Sequence, residues 1–142
     1  MWRSGSVLGK EMEIKVINPV ELGAPRGYSN GILATGGSLL FVAGQIGWTS
    51  DQEIISDDFA AQFEQALTNI QAVVRAAGGQ VESVVRLTIY VTDKQEYQEK
   101  IRGVGESYRR VMGKHFPAMT LVEVKSLLDS SAKVEIEATA VI

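Results

Sequence analysis

Between Phe59 and Ala77 the residues Phe59, Phe63, Ala66, Leu67, Ile70, Val73, Val74 and Ala77 recur at offsets of 4, 7, 8, 11, 14, 15 and 18. This is the one-sided repeat of an amphipathic α-helix, and it limits the fold more than any other segment. Asp57 stands where an N-cap belongs, and Gly78-Gly79 supplies the stop. Such a helix must lay its stripe against something, and the flanking sequence offers strands. Val84 to Val91 is β-branched and alternating, and Glu13 to Ile17 alternates before Pro19. Gly31–Thr35 and Leu39–Ala43 are short apolar runs joined through Gly36-Gly37-Ser38, which suits a hairpin turn. Met119–Val124 and Lys133–Ile142 read as two further strands. Thr92 with Gln95 fits a capping box for a second helix, with Tyr97, Ile101, Val104, Tyr108 and Val111 on one face. Gly103 and Gly105 interrupt that helix and mark a close approach to its backbone. The order is that of an α+β layer fold, with both helices on one face of the sheet.

The last strand sets Val134, Ile136, Ala138 and Ala140 on one side and Glu135, Glu137 and Thr139 on the other. The second row is too polar for a core, so it is expected to meet other subunits and find its hydrogen bonds there. With 142 residues, 45% of them hydrophobic, the chain can build one core unaided. Residues 12–142 are expected to form one domain behind a flexible, Gly/Ser-containing segment at 1–11. That segment lacks the apolar core of a signal peptide, and no run of about 18 apolar residues occurs, so a cytoplasmic protein without membrane partners is expected.

Fourteen Lys+Arg against 17 Asp+Glu give a net charge of −3, with no dense basic cluster. Nucleic acid is therefore a poor partner. The absence of cysteine excludes thiol nucleophiles and Cys-based metal sites, and the single histidine, His115, excludes multi-His sites. His115, in a loop before Phe116-Pro117, reads as a solvated residue. Carboxylates, hydroxyls, arginines and backbone groups remain as the chemical repertoire.

Ala43-Gly44-Gln45-Ile46, the Ala-Ala-Gly end of the first helix, Phe116-Pro117-Ala118, Val122-Glu123-Val124 and Val134-Glu135-Ile136-Glu137-Ala138 follow one another in a recognisable order. From about Tyr28 to Ile142 the sequence resembles the RidA/YjgF reactive-intermediate deaminase family, a group also labelled endoribonuclease L-PSP or translation inhibitor. The resemblance implies a chorismate-mutase-like fold: a mixed six-stranded sheet with two helices on one face, assembled as a homotrimer with ligand clefts between subunits. It implies hydrolysis of 2-imino and enamine acids to 2-oxo acids and ammonia, without metal or cofactor.

Carried over position by position, the family's cleft tyrosine is Tyr28, and the backbone glycine of its Gly-Gln pair is Gly44. The carboxylate that holds the attacking water is Glu135, and a backbone contact to substrate falls at Leu121. Three positions depart from the pattern. The substrate-gripping arginine is Met119, the serine before Gly-Gln is Ala43, and the helix asparagine falls at Gly105. A guanidinium grips a carboxylate through two parallel hydrogen bonds, and methionine offers none. Losing one partner of a desolvated charge pair costs about 2–5 kcal/mol. The implied substrate is thus an imine or enamine lacking an α-carboxylate, or one turned over weakly, unless Arg26 or Arg86 supplies the cation. Position 119 is expected beside Gly44 and opposite Glu135. A non-catalytic trimer that binds a small metabolite or partner protein is the alternative. A ribonuclease is a third reading, disfavoured by the lone histidine and the negative charge.

Overall fold

In the computed structural model, which describes residues 12–142, the amphipathic stretch is helix α1, Phe59–Ala76. The segment 1–11, expected to be flexible, lies outside the described residues. Capping falls one residue later than expected. Asp58, with extended backbone, accepts the Ala61 N–H at 2.9 Å, while Asp57 stays in solvent with its carboxylate 3.6 Å from Lys133. Position 58 takes the role because its side chain reaches the third N–H of the helix. Asp58→Ala should lower the unfolding free energy by about 1 kcal/mol, read as a shifted urea midpoint at constant m-value.

Six strands are present: β1 Glu13–Ile17, β2 Gly31–Thr35, β3 Leu39–Ile46, β4 Val84–Val91, β5 Ala118–Glu123 and β6 Val134–Val141. Their hydrogen bonds divide them. Strands β3-β6-β4-β5 form a mixed sheet in which only β4 and β5 run parallel, and β1 and β2 form an antiparallel ribbon. Ser29 joins the ribbon to the sheet edge, bridging to Ala118 and donating its N–H to the Pro117 carbonyl at 3.0 Å. The hairpin expected between β2 and β3 is not a paired one. Gly36 and Gly37 take the positive φ that the turn needs (77° and 68°), but the chain leaving it pairs with β6. Ser38 and Ile142 exchange both backbone hydrogen bonds, at 2.7 and 2.9 Å. Pairing with β6 turns Leu40 and Val42 toward the core.

Register assigns the two faces of β4. Leu87, Ile89 and Val91 stand opposite Ala138, Ile136 and Val134 and are buried with them under the helices. A bulge between Val84 and Arg86 puts Val84, rather than Val85, in the core at the strand's start. Arg86, Thr88 and Tyr90 therefore share the other face with Thr139, Glu137 and Glu135. That face is uncovered in one chain, and β3 leaves Phe41 74% exposed.

The second helix is two: α2, Lys94–Glu99, and α3, Ile101–Met112, parted at Lys100. Asp93, not Thr92, caps α2, accepting the Gln95 and Glu96 N–H groups at 3.0 and 3.2 Å. The Gln95 side chain reaches forward to Glu99 at 3.2 Å instead of back, so the expected capping box does not form. α3 lies close on α1. A Cβ at Gly103 would stand 3.4 Å from that of Ala60, and the Ser107 hydroxyl donates to the Ala60 carbonyl at 3.3 Å. Among the described residues no helix is long and apolar enough to cross a membrane.

Candidate functional site

Two groups of the expected site residues form, on opposite faces of the sheet. The first is built on a bulge in β3. Val42 pairs with Ala138 but Gln45 with Ile136, so Ala43 and Gly44 are pushed out of the ladder. The Glu135 side chain lies against this bulge, and a Cβ at position 44 would come within 2.8 Å of its Cδ. Glycine at 44 is what lets the carboxylate settle there. Beside it, the Tyr90 hydroxyl donates to Glu137 Oε1 at 2.6 Å. That hydrogen bond chiefly holds the Tyr90 hydroxyl above its ordinary pKa, with desolvation and the charges of Glu137 and Glu135 adding to it. Glu137 is thus engaged, whereas half-buried Glu135 makes no side-chain hydrogen bond among the described residues.

The second group lines a cavity of about 650 Å³ between α3 and β5. Met119 pairs with Leu87 and Leu121 with Ile89, so both share the helix-facing side of the sheet. Val104, Gly105 and Arg109 come from α3, and Arg26 and Tyr28 from the loop before β2. Tyr28, Gly105, Met119 and Leu121 are therefore brought together; Ala43, Gly44 and Glu135 are not among them. The expectation that Met119 stands beside Gly44 and opposite Glu135 fails within one chain. Alternate residues of a sheet point to opposite faces, and residue 119 belongs to the inner row while 135 belongs to the outer one.

The arginines divide in the same way. Arg26 lines the cavity, while Arg86 lies on the other face near Gly31, Ala118 and Thr139. Sequence reasoning missed Arg109, one helical turn beyond Gly105, whose Nη1 lies 3.6 Å from where a Cβ at 105 would stand. The available signal was the i, i+4 spacing from Gly105 to Arg109.

Two groups near the cavity are structural. Tyr108 stacks on Phe116 with ring centroids 5.5 Å apart and donates its hydroxyl to the His115 carbonyl at 2.6 Å. Burial pushes that hydroxyl's pKa up, which removes it from acid–base work near neutrality. His115 is not the solvated residue expected. It is half-buried, with Nε2 2.6 Å from the Val84 carbonyl, and ties the loop before β5 to β4. Among the described residues no group of three or more His, Cys, Asp or Glu side chains is placed to hold a metal ion.

The chain thus combines an α+β fold and a mixed sheet with a glycine bulge under a glutamate. Residues 19–142 match the family described as Endoribonuclease L-PSP, and the chain belongs to that RidA/YjgF family. It is 37% identical over 114 residues to a RutC family protein of Pyrococcus horikoshii, covering 80% of this chain and 85% of that one. It is 35% identical over 108 residues to a Salmonella typhimurium protein named 2-iminobutanoate/2-iminopropanoate deaminase, covering 74% and 80%. The crystal structure of the Rid-family protein YyfB from Yersinia pestis superposes with a TM-score of 0.82 at 30% identity, covering 91% of this chain and 98% of that one.

Proposed function

We propose that this protein hydrolyses imines or enamines to carbonyl compounds and ammonia, in clefts formed where copies of a homotrimer meet. The observation that carries this reading is Glu135, a carboxylate resting on the Gly44 bulge with no side-chain hydrogen bond among the described residues. In this reading Glu135 accepts a proton from water as the oxygen adds to the C=N carbon, and the nitrogen gains a proton. The resulting carbinolamine then loses ammonia and leaves C=O. One carboxylate in this role contributes about 10²–10⁴-fold, enough for a bond that already hydrolyses in water.

The division of the residues between two faces supports the assembly. The cavity of one chain holds substrate-binding walls, Tyr28, Met119, Leu121 and the backbone at Gly105, but no carboxylate. A second copy laid against the sheet edge supplies Ala43, Gly44 and Glu135. The exposed outer face, with Phe41 at its rim, becomes the buried interface.

The deciding experiment measures ammonia release from a panel of imines and enamines, short and long, with and without carboxylates. Sedimentation equilibrium on the same sample reads the assembly. Turnover of at least one compound above the solvent rate, at three times the chain mass, is the expected result. Binding without turnover on every compound would select the non-catalytic reading. A monomer or dimer would remove the shared cleft.

Short 2-imino acids should be turned over poorly, because Met119 stands where the family's arginine is expected. Met119→Arg should then bind 2-oxobutyrate about tenfold more tightly by calorimetry, near 1.4 kcal/mol. The gain stays below a full pair energy because Ala43 and Gly105 lack the hydroxyl and amide of the family's pattern, and the new guanidinium must be desolvated without them. Unchanged binding with an intact trimer would place residue 119 outside the cleft.

A further inference from the structure

The cavity beneath α3 has an apolar interior and a cationic mouth. Met119, Leu121, Phe63, Val104 and Phe116 wall it, Arg26 and Arg109 line it, and no acidic residue does. Its volume of about 650 Å³ suits a ligand well beyond a three- or four-carbon acid. Arg109 stands one turn beyond Gly105 on α3, with Nη1 3.6 Å from where a Cβ at 105 would stand, an ordinary van der Waals separation that puts the guanidinium beside the cavity wall. Its neighbour Arg110 is consumed elsewhere, with Nη2 2.7 Å from Glu64. Arg109 makes no ion pair among the described residues. A planar cation without a carboxylate partner, over an apolar cavity, recognises an anion joined to a bulky hydrocarbon.

We infer that Arg109 replaces the missing arginine of β5 as the anion anchor, and that the cavity takes carboxylates with an aromatic or long aliphatic side chain rather than short ones. The inference rests on the proposed imine-hydrolase reading for the chemistry at Glu135, but the binding it describes is measured independently. Moving the cation from β5 to α3 shifts where the carboxylate docks and leaves the space beside Met119 and Leu121 for the side chain. A carboxylate on the substrate is thereby retained, not lost.

The test is calorimetric titration of the intact assembly with three probes: phenylpyruvate, 2-oxobutyrate and phenylacetone, the last being phenylpyruvate's neutral counterpart. The wild type should bind phenylpyruvate about tenfold or more tightly than either of the others. Arg109→Ala should lose about tenfold toward phenylpyruvate, leave phenylacetone unchanged and keep its melting temperature. Arg109→Lys should fall between, since a point charge keeps attraction but not the fork. Arg109→Gln, which keeps much of the aliphatic stem, should reproduce the loss if the alanine variant does not assemble. Arg75→Ala, at the exposed end of α1 and outside the cavity lining, should bind as the wild type does. Equal binding of phenylpyruvate by wild type and Arg109 variants overturns the inference, as does wild-type affinity for 2-oxobutyrate equal to that for phenylpyruvate, or no binding of any probe. The parallel ammonia-release assay separates the two readings. Arg109-dependent binding without turnover of any imine fails the hydrolase and keeps the anchor, and turnover with binding indifferent to Arg109 does the reverse.

Discussion

Glu135→Ala should lower turnover of whichever imine the protein hydrolyses by about 10²–10⁴-fold, the range that one positioned general base contributes. The side chain leaves a surface bulge rather than the core, so the sheet should survive and ligand binding in the α3 cavity should be nearly unchanged. Glu135→Gln should lose as much, because an amide can hold a water molecule but cannot take its proton at neutral pH. Glu137→Gln is the contrasting control. Its carboxylate is two residues away, already accepting from Tyr90 at 2.6 Å, and should retain most activity. The readout is ammonia release under single-turnover conditions, with calorimetry reporting binding in parallel. A Glu135→Ala protein as fast as the wild type would show that catalysis, if any, runs through a different group.

Gln62→Leu should be the most destabilising single change of similar volume, costing about 3–5 kcal/mol as the sum of three buried hydrogen bonds and the polar groups they leave unpaired. Gln62 is fully buried and both ends of its amide are in use. Nε2 donates to the Ser56 and Ser131 carbonyls at 2.9 and 3.1 Å, and Oε1 accepts the Lys133 N–H at 2.8 Å. Leucine fills the space but leaves two carbonyls and one N–H without partners. Relief by rearrangement is blocked on one side: a Cβ on Gly47 would fall 2.7 Å from Gln62 Cα, so backbone is packed against the residue there. A fall in Tm of roughly 10 °C or more is expected for a chain of this size. Catalysis should suffer too, because Lys133 immediately precedes the strand that carries Glu135. A variant melting within a degree or two of wild type would mean that ordered water takes over the lost partners.

Helix α1 was legible because its stripe is long, regular and bounded by a cap and two glycines. The polar row of β6 was legible for a similar reason: with period two, Glu135 and Glu137 cannot share a face with Val134 and Ile136. Local chemistry read less well where two neighbouring residues compete for one role. Asp57 and Asp58, or Thr92 and Asp93, differ in cap position only by where the backbone turns. Gly36-Gly37 announced a turn correctly, but a turn does not say what its arms pair with. β3 went to β6 because burying Leu40 and Val42 under α1 outweighs closing a local hairpin.

The sequence by itself determined the six strands, the long first helix, their order and the family, since these depend on periodicity and residue type along the chain. The tertiary structure alone decided that Met119 and Glu135 face opposite sides of one sheet, that His115 is bound to the Val84 carbonyl, and that Arg109 overlies Gly105. Each of these depends on register between strands or on the rotation of α3 against β5. Both are set by burial summed over the whole core, which no local window of sequence contains.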